Sequence, residues 1–290
     1  MIANYLIHIA IITVVALLLA WSLNLALGYT GIINLGHLAF YGLGAYTAAL
    51  IVKHGGAWWW GLLAGAALAA LSAVLLHALT WRLKGDYLAL VSLGFSFLAY
   101  SLFMNWVDVT GGAYGLSAIP RPQVFGTTLI SNYHYLWFSL AIAVVVGLFL
   151  RRLTRAPYGR LLEATRDDAL GLSAYGYNPN RLKAESLVIS AAIAGAAGGV
   201  FAYYSSYIDP SLFFIHELIT VLTVVLVGGL ASLGGTLVAS IVITLLPEAL
   251  RFLPLPPESV GPMRQIIYAV VLLVILRFRP RGILGRVDLS

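Results

Sequence analysis

Cysteine is absent from this 290-residue chain. Disulfides and thiolate-bound metals are therefore excluded, and cysteine usage carries no mark of a redox compartment. Charge is scarce as well. Asp, Glu, Lys and Arg make up 10% of the residues, where a soluble domain carries roughly 25%. No GxxxxGK[ST] loop is present to cradle a nucleotide phosphate. HExxH, a carboxylate pair at useful spacing and a Ser/His/Asp arrangement are missing too, which argues against enzyme activity in this chain. Nor do the apolar runs alternate. "IIYAVVLLVIL" (266–276) is apolar at every position but one, whereas a transmembrane β-barrel strand would be polar at every second residue.

What remains is oil: 61% of the chain is hydrophobic. The apolar runs recur from end to end and approach the ~20 residues of helix that a bilayer core requires. They predict an all-α polytopic membrane protein of about nine spans, within a range of about 8–10. The segments are 5–27, 37–52, 60–80, 87–104, 136–150, 184–205, 217–230, 236–253 and 265–278. Several are short, and short or glycine-interrupted spans are tolerated where the backbone faces protein or a cavity. The first run lacks a basic n-region and a small-x-small cleavage site, so it reads as a retained first span rather than a signal peptide.

The pI is near 9.5, but the basic residues sit at span ends, which points to the membrane and away from nucleic acid. Arg82, Lys84, Arg151, Arg152, Arg155, Arg160, Arg166, Arg181, Lys183, Arg277, Arg279, Arg281 and Arg286 fall on one side; Lys53, Arg121, Arg251 and Arg264 fall on the other. Lys and Arg accumulate in cytoplasmic loops. This predicts an N-terminus outside and a C-terminus in the cytoplasm.

One cytoplasmic stretch, 151–183, is charged in both signs. "PYGRLLEATRDDALGLSAYGYNPNRLK" (157–183) opens on Pro157, suited to a first helical turn. Leu161, Leu162, Thr165, Ala169 and Leu172 fall on one helix face, with Glu163, Arg166 and Asp167 on another. Arg160–Glu163 and Glu163–Arg166 are spaced as i,i+3 ion pairs. Gly171 and Gly176 are expected to weaken or end the helix. Asn178 and Pro179 read as the N-cap and first residue of the next span. A short amphipathic cytoplasmic helix follows, and two readings stay open: a solvated connection, or a docking surface for a moving partner. The acids favour docking, because membrane orientation needs only Lys and Arg.

Two glycine clusters interrupt the oil: "GYTGIINLGHLAFYGLGAYTAAL" (28–50) and a shorter echo, "VGGLASLGGTLVAS" (227–240). Glycine permits close helix crossing, and it permits broken helices lining a cavity; both readings stand for 28–36 and 228–235. Polar groups near the membrane are few: Asn24, Asn34, His37, His77, Glu217 and Glu248. His37 reads as a packed histidine rather than a metal ligand.

Four blocks carry a resemblance. They are "NLALGYTGIINLGHLAFYGLGAYTAAL" (24–50), "DVTGGAYGLSAIPRP" (108–122), "APYGRLLEATRDDALGLSAYGYN" (156–178), and "VVLVGGLASLGGTLVAS" (224–240) with "FRPRGILG" (278–285). Together they resemble the LivM-type permease subunits of bacterial branched-chain amino acid ABC transporters. Leu170 and Gly171 depart mildly from the alanine common there. The resemblance implies a single transmembrane permease domain over 1–290, in the bacterial plasma (inner) membrane, with 151–183 as its coupling loop. It implies a sister permease subunit, two cytoplasmic ATPase subunits and an extracytoplasmic amino-acid-binding protein as partners. ATP and Mg would be held by the ATPase subunits, with no cofactor or metal on this chain. Glu163, Ala164, Arg166, Asp167, Asp168 and Gly176 would form the ATPase-coupling loop. Gly28, Gly31, Gly36, His37 and Gly44 would belong to the translocation core. Gly111, Gly112, Gly115 and Leu116 would form the outer segment near the binding protein. The implied cargo is leucine, isoleucine and valine; urea, short amides or another small polar solute, or an ATP-independent secondary carrier, are the alternatives.

Overall fold

A computed structural model of the chain describes residues 2–83, 86–124 and 126–250, and beyond them 263, 266–270, 273, 274, 277 and 282–285. The helices are α1 (Ile2–Asn24), α2 (His37–Lys53), α3 (Trp58–Thr80), α4 (Asp86–Asn105), α5 (Val107–Thr110) and α6 (Asn132–Arg155). After them come α7 (Pro157–Asp167), α8 (Ala169–Ala174), α9 (Pro179–Ser205), α10 (Ile215–Gly228) and α11 (Leu233–Leu250). A two-residue hairpin, β1 (Gln123–Val124) against β2 (Thr127–Thr128), sits in the loop between α5 and α6. The all-α expectation holds.

Among the described residues, five helices are long and apolar enough to cross a membrane: α1 with its continuation to Tyr29, α3, the Tyr87–Asn105 part of α4, α6 and α9. α2, α10 and the apolar part of α11 are shorter. The ninth expected span, 265–278, lies partly outside the described residues; 266–270, 273, 274 and 277 are helical. Lys84, Arg251, Arg264, Arg279, Arg281, Arg286 and residues 278–281 of the closing block also lie outside them.

The bundle is ordered from the inside out. α1, α2 and α9 are largely buried, while α3, α4 and α6 turn leucines outward, such as Leu71, Leu79, Leu98 and Leu148. Lipid tails are as apolar as leucine, so the helices associate by close packing and hydrogen bonds rather than by escape from water. The centre is built accordingly. A Cβ on Gly44 would lie 2.1 Å from the Gly195 carbonyl oxygen, and one on Gly65 would lie 2.8 Å from that of Gly44. α2, α3 and α9 therefore cross backbone to backbone. That lets α2, at 17 residues, sit buried within the bundle.

α9 fixes the two ends. Its 27 residues span about 40 Å at ~1.5 Å per residue. Around its start gather α7, α8 and the end of α3, with Arg82 and Lys183 lining a common cavity. Near its far end Arg121 stacks over Tyr135 and Tyr204. Leu116 and Ile208 exchange backbone hydrogen bonds there.

Candidate functional site

The helical ladder of α1 fails after Asn24. Residues Leu25–Tyr29 widen into one π-helical turn, and the chain then runs without helix to Gly36. A break inside a bundle frees backbone groups that need partners. Serines and threonines supply several. Ser190 Oγ donates to the Ser22 carbonyl at 2.6 Å, Ser186 Oγ to that of Leu25 at 3.3 Å, and Thr30 Oγ1 to the same Leu25 carbonyl at 3.1 Å. On the far side of the break, Ser92 Oγ accepts the Leu35 N–H and Asn34 Oδ1 accepts that of Gly36.

A second break separates α10 from α11. Gly229 and Ala231 both take positive φ. Asn24 reaches into it from α1. Its Oδ1 accepts the Ala231 N–H at 3.0 Å, and its Nδ2 donates to Thr236 Oγ1 at 2.7 Å. Trp21 Nε1 donates to the Leu233 carbonyl at 2.9 Å. Ile283 and Leu284 return to the same place and donate to the Val227 and Gly228 carbonyls. Each glycine cluster thus contains a broken segment, and the two breaks lie against each other. At their contact a Cβ on Gly28 would fall 2.5 Å from the Ala231 nitrogen.

The charged stretch packs beneath the first break. Pro157 starts α7, and Leu162, Thr165 and Leu172 face inward. The expected single helix is two. Asp168 leaves the helical backbone, and its Oδ1 accepts the Gly171 N–H at 2.9 Å, so it caps α8. Gly171, expected to weaken or end the helix, instead lies within α8. Gly176, at φ +84°, follows its end. Asn178 caps α9 by accepting the Asn180 and Arg181 N–H groups, with Pro179 first in that helix, as the sequence predicts.

Neither Arg160–Glu163 nor Glu163–Arg166 forms an ion pair among the described residues. Arg166 points elsewhere. Its Nε and Nη2 take the two carboxylate oxygens of Asp167 at 2.8 and 3.1 Å, and its Nη1 donates to the Gly28 carbonyl at 2.6 Å. Its aliphatic stem covers Gly31, where a Cβ would lie 2.9 Å from Arg166 Cγ. The reason is local: the π turn leaves the Gly28 carbonyl facing this side chain. Asp167 and Asp168 are exposed, and Glu163 and Ala164 half-exposed, so the far side of α7 is free. Half-buried Tyr158, on the same helix, has its phenol held above its ordinary pKa by burial and by the nearby Glu185 carboxylate.

The remaining predicted residues separate into two places. His37 and Gly44 lie in α2, behind Gly36. His37 is buried, its Nε2 2.8 Å from Ser22 Oγ and its ring edge-on to Phe40. Gly111, Gly112, Gly115 and Leu116 lie at the opposite end, beside α5 and the loop after α9. Gly115 takes φ +67° where a Cβ would meet the Ile208 carbonyl at 2.1 Å. The structure therefore brings Arg166, Gly28 and Gly31 together and keeps the outer segment apart.

Sequence reasoning passed over Asn24 as a site residue and missed Ser186, Ser190 and Thr236. The signal was present: "ESLVIS" (185–190) puts two serines one turn apart where α9 passes from its charged start into its apolar run.

Residues 1–276 match the protein family described as branched-chain amino acid transport system / permease component. The chain is 32% identical to the high-affinity branched-chain amino acid transport system permease protein LivM of Escherichia coli K12, over 98% of this chain and 71% of that one. It is 24% identical to the corresponding LivH protein of the same organism, over 94% and 92%. It is 30% identical to the BraD permease protein of Pseudomonas aeruginosa, over 59% and 55%. No solved structure matches.

Proposed function

The chain belongs to the family of permease components of branched-chain amino acid transport systems, and from that premise we propose how it works. It is a multi-pass membrane permease, and its cargo is leucine, isoleucine and valine. It pairs with a sister permease in the inner membrane, its N-terminus outside and its C-terminus in the cytoplasm. Two cytoplasmic ATPase subunits grip the exposed side of α7 and α8 through Glu163, Asp167 and Asp168. They bring the ATP and Mg. A binding protein delivers the amino acid at the end where Gly111–Leu116 sit.

One observation carries the coupling assignment. Arg166 lies on the charged helix yet bonds the Gly28 carbonyl inside the first helix break. A charge-assisted hydrogen bond of this kind is short and among the stronger ones a protein makes. Motion of α7 is thereby passed to Gly28. From there it reaches the second break, because Asn24, one helical turn before Gly28, holds Ala231 and Thr236. ATP-driven closure below then shifts both discontinuities together, which opens the path to one side of the membrane and closes it to the other.

The test is radiolabelled leucine uptake in vesicles holding this chain, its sister permease, the ATPase subunits and the binding protein, each omitted in turn. Uptake that needs ATP and every component is expected. Uptake by this chain alone would replace the reading with a secondary carrier. ATP hydrolysis stimulated by a different solute, without leucine uptake, would change the cargo and keep the coupling.

A further inference from the structure

A cavity of about 620 Å³ opens at the α7–α8 end of the bundle. It is bounded by the first helix break, the end of α3, the start of α4, α8 and the start of α9. Its walls have two characters. Leu170, Leu187 and their neighbours make an apolar slot, while Arg82 and Lys183 supply two cationic side chains and His77 an imidazole. Among the described residues lining it, none is acidic. Asn34 also lines it; this side chain is 2% exposed, and its Nδ2 has no hydrogen-bond partner among the described residues. A buried amide N–H without an acceptor costs about 1–3 kcal/mol, a cost that a turn of the Asn34 side chain toward an acceptor in the cavity would remove. Trp81 lies against Arg82 at 4.5 Å, the pairing of aromatic and basic groups that marks the lipid–water interface.

Positive charge, an orphaned donor and an apolar slot at membrane-interface depth select an amphipathic anion. We propose that this cavity is a binding site for an anionic phospholipid. Its headgroup phosphate sits among Arg82, Lys183 and the Asn34 amide, and the start of an acyl chain lies along Leu187. Basic pockets between helices at this depth suit such headgroups. Because Ile32, Ile33 and Asn34 form one wall, the bound lipid would brace the non-helical segment of the first break against α8.

The test uses the assembled transporter in nanodiscs of equimolar phosphatidylglycerol and phosphatidylcholine. The ratio of the two lipids retained after mild detergent extraction is read by native mass spectrometry. Retention of phosphatidylglycerol over phosphatidylcholine is expected. Arg82→Gln and Lys183→Gln should each reduce that preference about fivefold, the worth of one basic residue near a membrane surface. Arg151→Gln removes an exposed charge from the end of α6, away from the cavity, and should leave it unchanged. Leu170→Glu adds an acid at the mouth. Leu170 is 84% exposed, so this variant keeps the fold; with ATPase subunits still present in the same mass spectrum, it should also abolish the preference. Equal retention of the two lipids would overturn the proposal. So would an equal effect of Arg151→Gln, or displacement by inorganic phosphate of an anion that phosphatidylglycerol does not replace.

Discussion

Replacing Arg166 by methionine isolates the link between the charged helix and the helix break. Methionine keeps an aliphatic stem over Gly31 and removes the guanidinium. The Gly28 carbonyl then loses a charged donor at 2.6 Å, and hydrogen bonds to charged groups contribute about 1.5–3 kcal/mol. The two bonds to Asp167 add little, since that carboxylate is 63% exposed and exposed pairs are worth at most about 1 kcal/mol. At roughly 1.4 kcal/mol per tenfold, transmission through this contact should weaken about ten- to a hundredfold. The assay is leucine delivered per ATP hydrolysed by the reconstituted transporter. Hydrolysis should persist while that ratio falls at least about tenfold. Arg160→Gln removes an exposed charge from the same helix, leaves the guanidinium on Gly28 and should change the ratio by less than about fivefold. An unchanged ratio in Arg166→Met, with insertion and assembly intact, would refute the reasoning.

Other perturbations reach the scaffold. Asn24→Leu strands the Ala231 N–H, at a cost of about 1–3 kcal/mol for an orphaned buried group; faster amide hydrogen exchange across 229–236 and a lower melting temperature in detergent should report it. Gly44→Val drives a side chain into the Gly195 carbonyl. Overpacking of this kind costs about 1–3 kcal/mol or more, and thermal melting should show the drop; a wild-type melting curve would mean that α2 and α9 separate freely. Asn178→Ala removes the cap of α9 and should lower stability by about 1 kcal/mol, measured by the same melt, while Asn178→Asp should restore it.

The local parts of this architecture were legible and the long-range parts were not. Pro157, Asn178 and Pro179 announced helix starts through backbone chemistry that acts within a few residues. The two glycine clusters left close crossing and broken helices both open, because glycine permits either, and the structure holds both: breaks at 30–36 and 229–232 and a close crossing at Gly44. That the breaks meet each other could not be read, since it depends on one amide, Asn24, reaching across the fold to Ala231 and Thr236. Arg166 misled for a similar reason. Its partners are the adjacent Asp167 and a backbone carbonyl, which has no letter in the sequence, whereas i,i+3 spacing assigned it to Glu163. Asp168 ended α7 ahead of the expected Gly171 because a carboxylate that caps the next helix must itself leave the first. The meeting of Gly44, Gly65 and Gly195 joins three distant runs, and nothing within any one of them names the other two.

That meeting has a mechanical consequence. Side chains packed at a helix crossing can change rotamer and let the helices slide. A crossing built from main chain has no rotamers to change, so α2, α3 and α9 turn as one solid piece. A lever works only against a fulcrum that does not yield. Here the yielding parts, the two broken segments, are set beside an unyielding one. A small push at the end of α9 near Arg166 is therefore delivered to the breaks rather than absorbed by the bundle.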